Sequence, residues 1–322
     1  QQYKTAVQLF EKSSDMIGRY MLQQKRFGNY VTMLCGMSYC YRQIGNLTKG
    51  FQLLQEASKI TKEHLGDDVT TQVMVLVYEG EFYQGIGNDQ SAEGKYLDVM
   101  SLLNKTQTKE NQESNDEQYY GVVSKLGSVY RHWGYPEDAL RQFEQVTRYQ
   151  SRKNGSASLG YAFAAIDEAD VLQALHERGR AAYLYNQAIP IIQKKSAAGA
   201  AQQKALSQYA NFLSADKKHS EAIPLLLNAR NYYEQTSGNK SSGYLSATSD
   251  LAMEHLFAGD YTAARPLFHE LLQHQLYQVQ NFFPALSESD KSLFYRRVYA
   301  DLNAYNAFAI RDGKVNTEEI GQ

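Results

Sequence analysis

Apolar residues in this chain recur at three- and four-residue intervals, the period of amphipathic helices, and the runs are broken at regular places by short polar turns. The stretch "FAGDYTAARPLFHELL" (257–272) shows the unit. Glycine and aspartate interrupt a helical pattern, then Ala264 opens a second helix and Phe268 follows one turn later. The same order returns in "WGYPEDALRQFEQV" (133–146), "IGNLTKGFQLLQEA" (44–57) and "IGNDQSAEGKYLDV" (86–99). It also returns in "KKHSEAIPLLLNA" (217–229), where lysines replace the glycine, and in "HERGRAAYLYNQA" (176–188), where the glycine has drifted. "YKTAVQLFEKS" (3–13) reads as a second helix alone.

The small residues that open these second helices are Ala6, Gly50, Ala92, Ala139, Ala181, Ala222 and Ala264. Their spacings are 44, 42, 47, 42, 41 and 42 residues, a period that predicts a solenoid of stacked hairpins. A small residue lets two helix backbones approach, and the large residue one turn later fills the space beside them. The glycine predicts a left-handed helix end, and the Asn or Asp after it starts the turn.

Two features complicate the pattern. The polar run "NKTQTKENQESNDEQ" (104–118) predicts a long exposed loop that accounts for the 47-residue spacing. Pro224 and Pro266 follow their small residues by two and are expected within a first helical turn, where proline is tolerated. Pro190 lies nine after Ala181, which implies a kinked helix or a register on Ala188 instead, with spacings of 49 and 34.

The pattern resembles the tetratricopeptide repeat family over residues 1 to about 280, most closely at Gly127–Phe143 and Ala252–Phe268. The family's usual period is about 34 residues, so about 42 here implies longer helices; HEAT and armadillo repeats are the structural alternative. The resemblance implies an all-α, right-handed superhelix of antiparallel hairpins over 1–281, followed by a capping or linker region over 282–322. There, Ser287 and Asp290 form a capping signature, and Phe294, Val298, Leu302, Tyr305 and Phe308 line one face. The segment "LSESDKSLFYRRV…LNAYNAFAI" resembles the helical link between tetratricopeptide repeats and a caspase-like CHAT domain in bacterial proteins. No strand–helix alternation follows it.

Chemistry for catalysis is sparse. The seven histidines form no zinc spacing, there is no C-x-x-C, and "GIGN" (85–88) lacks the third glycine and the preceding strand of a nucleotide cradle. Cys35 and Cys40, five apart on one helix, diverge and read as two free thiols, consistent with a reducing, cytoplasmic setting. With 33 basic and 35 acidic residues there is no basic excess to call for nucleic acid, and no apolar run is long enough to span a bilayer. An upstream segment that has been cut away is also an expectation, because the chain opens inside a helical pattern.

The expected function is therefore protein or peptide binding in a groove lined by the first helices, without cofactor, metal or in-chain catalysis. Its candidate residues are Tyr39, Arg42, Glu81, Gln84, Ser128, Arg131, Asp170, Gln173 and Asn211, on a face that also includes Cys35, Ile166 and Leu256. The CHAT resemblance implies regulation of a linked peptidase domain that is absent here. The alternative is the sensor or scaffold region of another signalling regulator, such as a histidine kinase or transcription factor.

Overall fold

The computed structural model describes residues 2–44, 46–197, 199–281, 291, 303 and 305–310. The described residues carry no strand. Their helices are α1 (Gln2–Gln23), α2 (Phe27–Gln43), α3 (Leu47–His64), α4 (Val69–Gly85), α5 (Asp89–Lys105), α6 (Gln112–Trp133) and α7 (Pro136–Asn154). Then follow α8 (Leu159–Ala174), α9 (Arg178–Lys195), α10 (Ala200–Ala215), α11 (His219–Ser237), α12 (Ser242–Phe257) and α13 (Tyr261–Asn281). The chain divides into two compact units, residues 1–197 and 198–322. The first holds α1–α9 and the second α10–α13.

Each unit is a stack of antiparallel hairpins: α2 packs on α3, α4 on α5, α6 on α7 and α8 on α9, and in the second unit α10 on α11 and α12 on α13. The fold is the tetratricopeptide-like helical solenoid that the period predicts. The small residue is the fourth of every second helix from α3 to α13. The alanines at this place are 0% exposed. At Gly50 the reason is plain, because an added Cβ would meet the Ser38 carbonyl oxygen at 3.1 Å. The large residue four positions later faces a small residue of the preceding helix, sixteen back: Tyr96 over Gly80, Phe143 over Gly127.

First helices end in the same backbone turn whether or not glycine is present. The N–H of the residue just before the second helix bonds the carbonyl five back in six hairpins: Asn46 to Tyr41, Asn88 to Tyr83, Tyr135 to Tyr130, Glu177 to Leu172, Lys218 to Leu213 and Asp260 to His255. Gly87, Gly134 and Gly259 take positive φ there, and so do His176 (φ 62°) and Lys217 (φ 60°). The residue just before the second helix also caps it in three hairpins: Asn46, Asn88 and Asp260 each accept from a backbone N–H three residues on.

Three expectations change. Residues 112–118 belong to α6, which has 22 residues against 17 in α4. The 47-residue spacing comes from a longer helix, because Asn115 is buried and donates to the Leu103 carbonyl, anchoring the extra turns on α5. The true connection, 106–111, is tied by Asn111, which accepts from Thr108 N and donates to the Thr106 carbonyl. Pro224 and Pro266 are sixth in α11 and α13, beyond the first turn, because those helices begin three residues before their small residue. Pro190 sits inside a continuous α9 at an exposed position, one turn after the likewise exposed Asn186, whose carbonyl it leaves without an in-helix donor.

A brace settles the register on Ala181. Tyr30, Tyr161 and Tyr244, near the starts of α2, α8 and α12, each donate to a side chain 26 residues on, in the partner helix: Glu56, Gln187 and Glu270. The acceptor stands six after the small residue, and Gln187 does so only if Ala181 is that residue.

Ser287, Asp290, Phe294, Val298 and Leu302 lie outside the described residues. Within the second unit, Tyr305 and Phe308 are buried against Ala252, Leu256, Ala264 and Phe268, with Phe308 stacked on Phe268 at 4.9 Å.

Candidate partner-binding face

In the first unit, α2, α4, α6 and α8 are the first helices of successive hairpins. Charged side chains one hairpin apart meet along them. Arg42 on α2 donates to the Glu81 carboxylate on α4 at 3.2 Å and to its backbone carbonyl at 3.3 Å. Lys125 on α6 reaches the other oxygen of the same carboxylate. Farther along α6, Arg131 pairs with Asp170 on α8. Two ion-pair clusters thus form, Arg42–Glu81–Lys125 across α2, α4 and α6 and Arg131–Asp170 across α6 and α8, with side chains between 17% and 36% exposed. At that exposure each pair contributes little stability by itself, and each charge stays within reach of a ligand.

Tyr39 adds an aromatic group at the α2 end. Its ring lies 5.4 Å from the Arg42 guanidinium carbon, and its hydroxyl is 3.3 Å from that of Tyr3 on α1. Burial and then the Tyr3 hydrogen bond push the Tyr39 hydroxyl well above the usual tyrosine range, so it stays protonated. At the α8 end, burial works against the charge of Arg131, and the Asp170 and Asp167 carboxylates more than offset it. The guanidinium therefore stays charged. Beneath this pair Tyr185 is fully buried, and burial followed by the two carboxylates holds its hydroxyl strongly in the neutral form.

The structure brings together Tyr39, Arg42 and Glu81, and separately Arg131 and Asp170. Gln84 points instead toward α5, with its amide oxygen 3.5 Å from the Tyr96 hydroxyl. Ser128 donates back to the Ser124 carbonyl of its own helix. Gln173 is half-buried at the end of α8. Asn211 lies on α10, in the other unit.

Cys35, Ile166 and Leu256 are corrections to the expected lining: they are at most 3% exposed and belong to the core. Cys35 packs with Val75 and Phe82 of the next hairpin, and Leu256 with Tyr305 and Phe308, so one helical stripe cannot be entirely ligand-facing. Burial raises the Cys35 thiol to about 12 and also raises Cys40, so neither is an activated nucleophile. Lys125 was missed by sequence reasoning. It stands six before Arg131 and off the stripe that was counted, and its signal is the matching acid at Glu81, visible only once adjacent helices are aligned.

Among the described residues no group of three or more His, Cys, Asp or Glu side chains could hold a metal ion. No described helix is long and apolar enough to cross a membrane.

No family model matches the sequence, and no curated protein matches it. Solved structures do. Apo RapI aligns over 86% of this chain and 97% of its own, with TM-score 0.56 and 13% identity. NprR in complex with its cognate peptide NprX aligns over 99% and 93%, with TM-score 0.51 and 12% identity. A putative kinesin light chain from Podosopora anserina, with TPR-like repeats, is 19% identical over 65% of this chain and 96% of its own, with TM-score 0.42. At identities this low, RapI and the NprR complex show a shared fold and nothing more.

Proposed function

We propose that this chain is a peptide- or protein-binding module whose ligand lies along the first helices of the first unit. The observation that carries the reading is the pair of partly exposed clusters, Tyr39, Arg42, Glu81 and Lys125 on α2, α4 and α6, and Arg131 with Asp170 on α6 and α8. Such clusters on successive first helices offer donors and acceptors to an extended backbone. Charges that already neutralise one another suit a ligand of mixed polarity, since a uniformly charged one would break pairs without replacing them. NprR, of the same fold, was solved with a bound peptide, which supports a peptide as the occupant.

The finer reading is that this module regulates an effector on the same polypeptide, with the region after 281 as cap and link. The resemblance of 286–310 to the link before a CHAT domain supports a caspase-like peptidase as that effector. Partner binding would then bias the effector by favouring one arrangement of the first helices. Reading the native frame beyond residue 322 tests this: strand–helix alternation with a later His and Cys supports it, and a kinase or DNA-binding pattern overturns the peptidase link. The binding role is tested by replacing Tyr39, Arg42 and Arg131 together with alanine. A peptide selected on the wild type should lose about tenfold or more in affinity, the scale of losing hot-spot anchors; unchanged affinity rejects the face.

A further inference from the structure

In the first unit, residues of α3, α4 and α5 line a cleft of about 490 Å³. Its origin lies in the repeat. Four after the small residue, α5, α7, α9 and α13 carry Tyr96, Phe143, Tyr185 and Phe268, and α3 carries Leu54. Eight after it, α5, α7, α9, α11 and α13 carry Met100, Thr147, Ile189, Arg230 and Leu272, and α3 carries Ser58. The helix α11 shares the leucine, as Leu226, but has the long Arg230 at the second place. Thus α3 is short at both places, and Leu54 and Ser58 both line the cleft. Side chains that fill this space in other hairpins are missing from this one.

The lining is divided in its chemistry. Phe51, Leu54 and Tyr83 supply apolar surface. Phe51 stacks on Phe82 at 5.1 Å and meets Tyr83 edge-on at 6.3 Å, so these rings hold one another in place. The charged groups are Lys59, Lys62 and Lys95 against Glu63 and Glu79. Lys95 pairs with Glu79 at 2.7 Å and joins α5 to α4. Lys59 stands 3.9 Å from Glu63, with both side chains more than half exposed, so that pair is weak. Once both pairs are counted, Lys62 is left as an unmatched positive charge of the lining. Glu79 and Glu81 are two apart on α4, hence about 200° apart around it. The cleft is therefore separate from the Arg42–Glu81–Lys125 cluster.

We infer that this cleft binds a small organic anion with a flat apolar body. The body lies against Phe51, Leu54 and Tyr83, and the anionic group meets Lys62 and Lys59. The volume falls within the roughly 300–1,000 Å³ of ligand pockets, and an apolar lining with a few charged groups is their usual composition. A ligand held by α3, α4 and α5 ties two successive hairpins together, and the folded chain is stabilised by its binding. This site is independent of the first-helix face proposed above.

The test titrates the whole chain with anilinonaphthalene sulfonate, an aromatic anion that fluoresces on binding. Saturation at one probe per chain is expected. Ser58→Met gives α3 the side chain that α5 carries at this place, fills the cleft, and should weaken binding about tenfold or more. Lys59→Glu with Lys62→Glu, both at exposed positions, should weaken it about tenfold while the cleft stays open. Circular dichroism checks that the variants fold. Naphthalene sulfonate should displace the probe, and the cation naphthylmethylamine should not. Absence of saturable binding, or equal affinity in Ser58→Met, overturns the inference. So does displacement by naphthylmethylamine as effective as by naphthalene sulfonate. Fluorescence lost in Met16→Asp and kept in Ser58→Met also overturns it, because the probe would then sit on the exposed Met16 of α1.

Discussion

Lys217 and His176 hold the left-handed turn that glycine holds at Gly87, Gly134 and Gly259, and replacing either by glycine should stabilise the protein. The left-handed region costs a residue with a Cβ roughly 1–2 kcal/mol. Glycine returns about 0.5–1 kcal/mol of that gain through its freer unfolded chain. The net expectation is about 0.5–1 kcal/mol for each of Lys217→Gly and His176→Gly. Both side chains are exposed, so no packing is lost to offset the gain. The hydrogen bonds of the turn are backbone to backbone, Lys217 N to Ser214 O at 2.8 Å and Lys218 N to Leu213 O at 3.0 Å, and survive the change. Urea unfolding followed by helical circular dichroism should show a higher midpoint for each variant, with the gains adding in the double variant. The reverse substitution, Gly134→Ala at φ 87°, should lower the midpoint by at least as much. A destabilising Lys217→Gly, or a neutral Gly134→Ala, would refute the claim that one turn geometry is imposed on every hairpin.

Other substitutions probe the packing. Phe143→Ala removes a side chain 1% exposed that rests on Gly127 and should cost about 3–5 kcal/mol by urea unfolding. His219→Ala leaves the Glu254 carboxylate, 2% exposed and 2.6 Å from the imidazole, without that partner; the expected loss is about 3–5 kcal/mol, and Glu254→Gln with His219→Ala should recover part of it. Cys35 and Cys40 should resist a thiol reagent at pH 8 in the native protein and react on unfolding. Because burial raises these thiols when folded, the unfolded chain releases their protons first. Stability should therefore fall as pH rises above about 9 and continue falling toward the folded value near 12, as alkaline urea titrations can check.

The repeat was legible because its marks are local and survive substitution: a small residue, a large one four later and a turn five before. The left-handed position was legible only where glycine fills it; at His176 and Lys217 the surrounding helix ends impose it. The polar run at 112–118 was misread because it lacks an apolar stripe, while a single buried asparagine and good helix-forming residues extend α6. The braces from Tyr30, Tyr161 and Tyr244 join residues 26 apart, beyond any helical period, although an acceptor six after each small residue from Gly50 on was readable in the sequence. The candidate face was legible as a set of helices and only partly as residues. Arg42, Glu81, Arg131 and Asp170 meet as neighbours, whereas Cys35 and Ile166 on the same stripes turn into the core, because stacked helices bury part of each inward face.

The central claim is that ligands bind along the first helices of the first unit. Its most direct test is the affinity of one peptide, selected from a random library on the wild-type chain, for three proteins. These are the wild type, the variant with Tyr39, Arg42 and Arg131 replaced by alanine, and Tyr183→Ala, which alters an exposed side chain on the second helix α9. The account predicts a loss of about tenfold or more in the triple variant and none in Tyr183→Ala. Equal affinity for the wild type and the triple variant, or loss confined to Tyr183→Ala, would contradict it.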